Sequence, residues 1–225
     1  MKTLLITIRE LYLHPRNVVD GFLSHKKSPF THPFKILIAV SLATTALLLA
    51  SGTLFWNVPD VSTAVGESEA IVQIQMWTET VSRGIITTYL PISAGLLLVP
   101  ALAVSGLIFL RNELQGFYIN LILSTYALAV ANLFSLLWIP VLLIDPDLIA
   151  NSSGRVSIAI AMLGVPILWI YQKYFDQKAP ISIIRQLSTA ASGFVLYIVL
   201  SGFASGVLGY MFFAVRRIAE LSGQG

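Results

Sequence analysis

Hydrophobic positions along this chain gather into five long runs free of charged residues. They lie between Lys35 and Asn57, Arg83 and Arg111, Glu113 and Asp145, Arg155 and Lys173, and Arg185 and Arg216. A hydrocarbon core about 30 Å thick is crossed by roughly 20 apolar residues in helical form, with a workable range near 17–25. Each run reaches that length and predicts a transmembrane helix, over about 34–56, 86–110, 115–144, 155–172 and 183–215. The predicted fold class is an all-α membrane protein, a bundle of five transmembrane helices preceded by an N-terminal interfacial amphipathic segment.

Residues 1–33 carry a different pattern. Leu4, Ile8 and Leu11 recur at helical spacing, and Pro15 suits the first turn of a second helix. In that helix Val18, Val19, Phe22 and Leu23 share one face, while Arg16, Asp20, Lys26 and Lys27 lie elsewhere. Two readings are open: a helix lying in the membrane interface with its basic side toward anionic lipid, or a short helix packed under the bundle. On the first, Arg16, Val19, Phe22, Lys26 and Lys27 form the membrane surface. The run from Ser28 to Pro33 breaks the helix before the first span.

Pro91 and Pro100 predict a kink in the second span, the third ends near Pro140, and the fourth, the shortest, carries Pro166. The link Arg111-Asn112-Glu113 is short enough to make spans two and three an antiparallel hairpin. Residues 57–83 are the longest outer segment and are expected to lead helically into span two, because a lone strand there would leave its edges unpaired. The organisation is one transmembrane domain, 34–217, with a cytoplasmic segment 1–33 before it and a short tail, 218–225, after it.

Charge supplies orientation. Of the 14 basic residues, Lys2, Arg9, Arg16, Lys26, Lys27, Lys35, Arg111, Lys173, Lys178 and Arg185 fall on the N-terminal side of a five-span topology. Only Arg83, Arg155, Arg216 and Arg217 fall on the other. Basic residues concentrate on the cytoplasmic side, so the N-terminus is predicted inside and the C-terminus outside, with Arg216 and Arg217 discordant. At 56% hydrophobic and 11% charged, the 225 residues carry less than half the usual charge of about 25%. The net charge of +3 is spread over membrane flanks rather than gathered into a patch with aromatics, which argues against nucleic acid as a partner. The chain has no Cys, so disulfides, thiolate metal sites and a Cys nucleophile are excluded.

No Asp, Glu, His, Lys or Arg stands in the interior of a predicted span, Lys35, Arg155 and Arg185 lying at span ends, although such residues are the usual mark of ion or proton paths and of intramembrane acid-base chemistry. His14, His25 and His32 all lie in the N-terminal segment and lack a convergent ligand spacing, so no metal, no cofactor and no catalytic residue is assigned. Span three holds the polar candidates: Asn120, Ser124, Tyr126 and Asn132, with Ser135. They read as interhelical glue or as the lining of a small polar cavity. Span five repeats small residues, Ser201, Gly202, Ser205, Gly206 and Gly209, with Ser188, Ser192 and Gly193 upstream. This spacing lets helix backbones approach closely, within the chain or in a homodimer.

The run Thr7-Ile8-Arg9-Glu10-Leu11-Tyr12-Leu13-His14-Pro15-Arg16, with Val18-Val19-Asp20-Gly21-Phe22-Leu23, Lys26-Lys27 and His32-Pro33-Phe34, resembles the opening of an uncharacterised family of bacterial multi-pass proteins. Asn112-Glu113-Leu114-Gln115-Gly116-Phe117-Tyr118 is similar to that family's approach to its third span, and the five-span layout is similar to the broader Yip1-type group. Ser24-His25 stands where the family has Gly before its basic pair, and the zinc ribbon often found upstream is absent. The resemblance implies a bacterial inner-membrane protein and carries over no site. The expected function is a non-enzymatic scaffold, a partner-binding or membrane-organising subunit, with the bilayer and other membrane proteins or a second copy as partners. The alternative is a permease or transport-system component whose path is lined by the third span.

Overall fold

The computed structural model describes residues 2–24, 29–50, 94–112, 114, 116–138, 140, 152–175 and 180–222, and these are helical almost throughout. Seven α-helices occur among them: α1 (Lys2–Leu13), α2 (Pro15–Leu23), α3 (Pro33–Ala50), α4 (Val99–Phe109), α5 (Phe117–Ser135), α6 (Ser152–Phe175) and α7 (Pro180–Ser222). A π-helical turn, Ala94–Leu98, leads into α4, and a 3-10 turn, Leu136–Trp138, follows α5. The predicted outer segment 57–83 and the ends of several predicted spans lie outside the described residues.

Local chemistry sets the helix boundaries. A residue before proline is pushed out of the α region, and His14 accordingly takes φ −141°, ψ 64°, ending α1 so that Pro15 opens α2. Gly116 precedes α5 at φ 129°, a conformation open to glycine and strained for other residues. One turn on, the Asn120 side-chain amide donates to the Gly116 carbonyl (2.9 Å) and closes the first turn of α5.

α5 is the centre of the protein. It touches α3, α4 and α6 along their lengths and reaches both N-terminal helices, while α7 packs on α4 and α6. Thus α4, α5, α6 and α7 form a ring, with α3 against α5 as well. Tyr126 meets residue 31 and Asn132 meets residues 41 and 44, so α3 and α5 run in the same direction. The core continues into the N-terminal segment: Leu11, Val18 and Val19 join Ile36, Leu102, Ile122, Val130, Ile167 and Tyr171 in one cluster.

Outward-facing side chains are apolar on most of the helices. Ile38 and Leu42 on α3, Ile108 on α4, Val165 on α6, and Val195, Ile198, Val199 and Phe203 on α7 are all exposed. Inside, by contrast, stand Thr44, Asn120, Ser124, Asn132 and Gln186. Apolar surface this extensive is costly in water and natural in lipid. Among the described residues two helices are long and apolar enough to cross a membrane, α5 (19 residues) and Ser182–Val215 within α7 (34 residues); Pro33–Leu47 and Gly95–Phe109 are shorter apolar helices. The fold is therefore all-α with the proportions of a membrane-associated protein. At about 1.5 Å per residue the 43 residues of α7 extend about 65 Å, twice a hydrocarbon core of about 30 Å. This helix runs on through Arg216 and Arg217 into the stretch expected to be a tail.

Two glycines set helix spacing. A Cβ at Gly193 on α7 would stand 2.5 Å from Leu102 Cδ2 and 3.3 Å from the Leu102 backbone on α4. A Cβ at Gly106 on α4 would overlap the Asn120 amide on α5, which its bond to Gly116 restrains. Gly193→Ala and Gly106→Ala are each expected to lower stability by about 1–3 kcal/mol, the usual cost of overpacking. Gly202→Ala, with open space around that position, is expected to be neutral or to gain up to about 1 kcal/mol from helix propensity. Thermal unfolding of the three variants in one detergent checks the contrast.

Candidate functional site

The polar side chains of α5 are the chemistry nearest the middle of the bundle. Asn120, Ser124, Tyr126 and Asn132 are each 1% exposed or less, so each must find a partner inside the chain. They find different ones. The Ser124 hydroxyl and the Tyr171 hydroxyl on α6 share a 3.0 Å hydrogen bond. Tyr126 donates to the carbonyl of Thr31 (2.8 Å), just before α3. Asn132 donates to Ser41 Oγ on α3 (2.9 Å), and its backbone carbonyl accepts from Thr44 of α3 (3.2 Å) and from Ser135 (2.7 Å). The Asn120 oxygen rests on Gly106 of α4 and has no hydrogen-bond partner. Thus four residues placed along one helix mark contacts with α4, α6, the α3 approach and α3 itself.

The Thr31 peptide is held on both sides. Its N–H donates to Thr7 Oγ1 on α1 (2.8 Å), while its carbonyl accepts from Tyr126. The Thr7 hydroxyl in turn donates to the Thr3 carbonyl (2.8 Å). This chain of bonds pins α1 to the start of α3 and to α5 together. A second tie joins α2 to α6: Tyr174, beyond the uncharged stretch of α6, donates to Asp20 (3.1 Å), whose other oxygen faces Arg16 at 3.4 Å. Burial raises the Tyr174 phenol to about 12; the Asp20 charge and hydrogen bond add to the rise and Arg16 opposes it.

The expected membrane surface is redistributed. Val19 is fully buried in the core, so it is corrected from a lipid-facing residue to a packing one: the apolar face of α2 is consumed by the bundle. Phe22 is half-buried and meets His32 edge-on, ring centroids 5.0 Å apart. Arg16 is exposed, and Lys26 and Lys27 lie outside the described residues. Leu5, Ile6 and Leu13 on α1, absent from the sequence-based set, are exposed instead. Their signal is present in the same helical periodicity, as a second, outer set of apolar positions.

The small-residue stripe of α7 divides. Ser201 and Ser205 are buried, Ser201 donating to the Ile198 carbonyl (3.0 Å), and Gly209 is buried as well. Gly202 and Gly206 look into open space. A close approach in this helix is at Gly193.

Among the described residues, two cavities border these contacts. One, of about 230 Å³, is an apolar crevice between Tyr12, Val130, Phe134, Val165, Pro166 and Trp169. The other, of about 770 Å³, opens at the α4–α5 link among Leu107, Arg111, Asn112, Leu114 and Gly116. Among the described residues, no charged side chain is buried and no three His, Asp or Glu residues converge as a metal site would require. No protein-family model matches the chain, and no curated protein or solved structure matches it.

The Tyr174–Asp20 tie has a pH signature. A phenol raised from 10 to about 12 favours the neutral folded form, so its stabilisation is complete below pH 10 and is lost as pH rises to about 12. Tyr174→Phe is expected to lower stability at neutral pH and to remove part of the alkaline loss seen in the wild type over that window. Paired melting curves check both. For the Ser124–Tyr171 pair, a Ser124→Ala and Tyr171→Phe double-mutant cycle is expected to give a coupling of about 0.6 kcal/mol and no more than about 1.7 kcal/mol, the mean and maximum for hydrogen bonds between membrane helices.

Proposed function

We propose that this chain is a five-span protein of the bacterial inner membrane, N-terminus cytoplasmic and C-terminus outside, acting without catalysis as a scaffold or membrane-organising subunit. Each predicted span has a helix along its described part, and the similarity of the N-terminal motif to uncharacterised multi-pass bacterial proteins points the same way. The observation that carries the functional reading is the pairing inside α5. Ser124 and Asn132 spend their hydrogen bonds on neighbouring helices and Tyr126 on the approach to α3, which suits joining helices better than moving a polar solute past them. Other membrane proteins or a second copy are the partners this reading expects.

A transport role is the second reading, favoured by one detail. The Asn120 oxygen and the Thr45 hydroxyl are buried without hydrogen-bond partners, and a passing solute could supply one.

Purified protein in sealed vesicles separates the two. The scaffold reading expects small-solute permeability equal to that of protein-free vesicles, together with a stoichiometric membrane partner or second copy after cross-linking in native membranes. A flux that Asn120→Leu abolishes, in a protein that keeps its wild-type melting temperature, would assign the chain to transport. A reporter fused after Gly225 checks the orientation; a cytoplasmic signal would refute the five-span topology with an internal N-terminus.

A further inference from the structure

The outer side of α1 is apolar where a helix facing water would be polar. Leu5, Ile6 and Leu13 are 59%, 50% and 51% exposed. By the i, i+4 spacing Leu5, Arg9 and Leu13 form one stripe, with Ile6 at its edge and Arg9 also exposed. The opposite side holds Thr7 and Leu11, both fully buried. The helix's sole acid, Glu10, lies off the stripe and is half-buried. The exposed face is thus apolar with one described basic residue, Arg9, and no acid.

Its height in the molecule is defined independently. Thr7 is bonded to the N–H of Thr31, two residues before α3 begins at Pro33, and Tyr126 holds the carbonyl of the same residue. α1 therefore lies at the level where the first apolar helix starts. At its C-terminal end Tyr12 turns into the apolar crevice with Trp169, and the Lys173 ammonium stands 5.3 Å from the Trp169 ring centroid. An aromatic ring paired with a lysine is the anchor expected at the headgroup level.

We propose that the outer face of α1 is a binding surface for anionic phospholipid of the cytoplasmic leaflet. The helix lies in the plane of the headgroups, Leu5, Ile6 and Leu13 enter the acyl boundary, and Arg9 meets lipid phosphate. Such helices combine buried apolar area with attraction to anionic lipid. The inference rests on the membrane-spanning reading above and names the partner of its N-terminal segment.

The chain has no Cys, so single replacements can carry a bimane fluorophore without background. Leu5→Cys, Leu13→Cys, Asn17→Cys on the polar side of α2 and Phe203→Cys on α7 would be labelled in the full chain. Each would be reconstituted in phosphatidylcholine vesicles doped with either phosphatidylcholine or phosphatidylglycerol brominated high on the acyl chain. Labels at 5, 13 and 203 are expected to be quenched and the label at 17 to be spared. At 5 and 13 the brominated phosphatidylglycerol is expected to quench as if enriched about fivefold, the factor one basic residue contributes at an anionic surface, and Arg9→Gln is expected to remove that enrichment.

Quenching at 203 without quenching at 5 and 13 would overturn the proposal and leave the membrane reading standing; the face would then belong to water or a protein partner. No quenching at 203 either would overturn both. Equal quenching at 5 and 13 by the two lipids would overturn the anionic preference. Unchanged melting temperatures of the labelled variants verify that the fold is the one under test.

Discussion

A polar group surrounded by hydrocarbon has no water to turn to, and every bond it makes must come from its own chain. That constraint organises this protein around α5. Asn132 reaches Ser41 and its carbonyl receives Thr44, Ser124 meets Tyr171, and Tyr126 reaches back to the peptide of Thr31. Each bond selects one neighbour and one height along it, which apolar contact alone does not do. In a membrane, lipid tails solvate leucine as well as another helix can, so the directional bonds and the close approaches at Gly106 and Gly193 carry the specificity.

The same logic explains the N-terminal segment. The apolar face of α2 is spent in the core, through Val18 and Val19, and the Tyr174–Asp20 bond ties the helix to α6. α1 has less to bury. Thr7 and Leu11 face inward and are satisfied there, leaving Leu5, Ile6 and Leu13 outside. The two short helices therefore play different parts: α2 closes the underside of the bundle, and α1 presents an apolar surface beside the start of α3.

Much of this organisation is legible before any coordinates. The uncharged runs of the sequence coincide with α3 to α7 along their described residues, because an apolar, charge-free run is a local property of the chain. Pro15 separates α1 from α2 for an equally local reason, the clash that proline imposes on the residue before it. The polar residues of α5 also stand out in the sequence, since asparagine in an apolar run is conspicuous. Their partners do not. Ser41, Thr31, Tyr171 and Gly106 come from four other places in the chain, and no spacing within α5 points to them. Gly193 is similar: several glycines and serines of α7 share the spacing of close-packing residues, and only the position of Leu102 decides which one is needed.

Sequence alone determined that the chain is helical, apolar and charge-poor over long stretches, and that its interior chemistry is built from amides and hydroxyls. Those properties follow from residue type and near-neighbour spacing. Only the tertiary structure decided which side of each helix is inside. Val19 and Leu5 are both aliphatic residues on amphipathic turns, and nothing local distinguishes them. One is 0% and the other 59% exposed because the bundle has room for one face of the N-terminal segment and bonds at Thr7 and Asp20 choose that face.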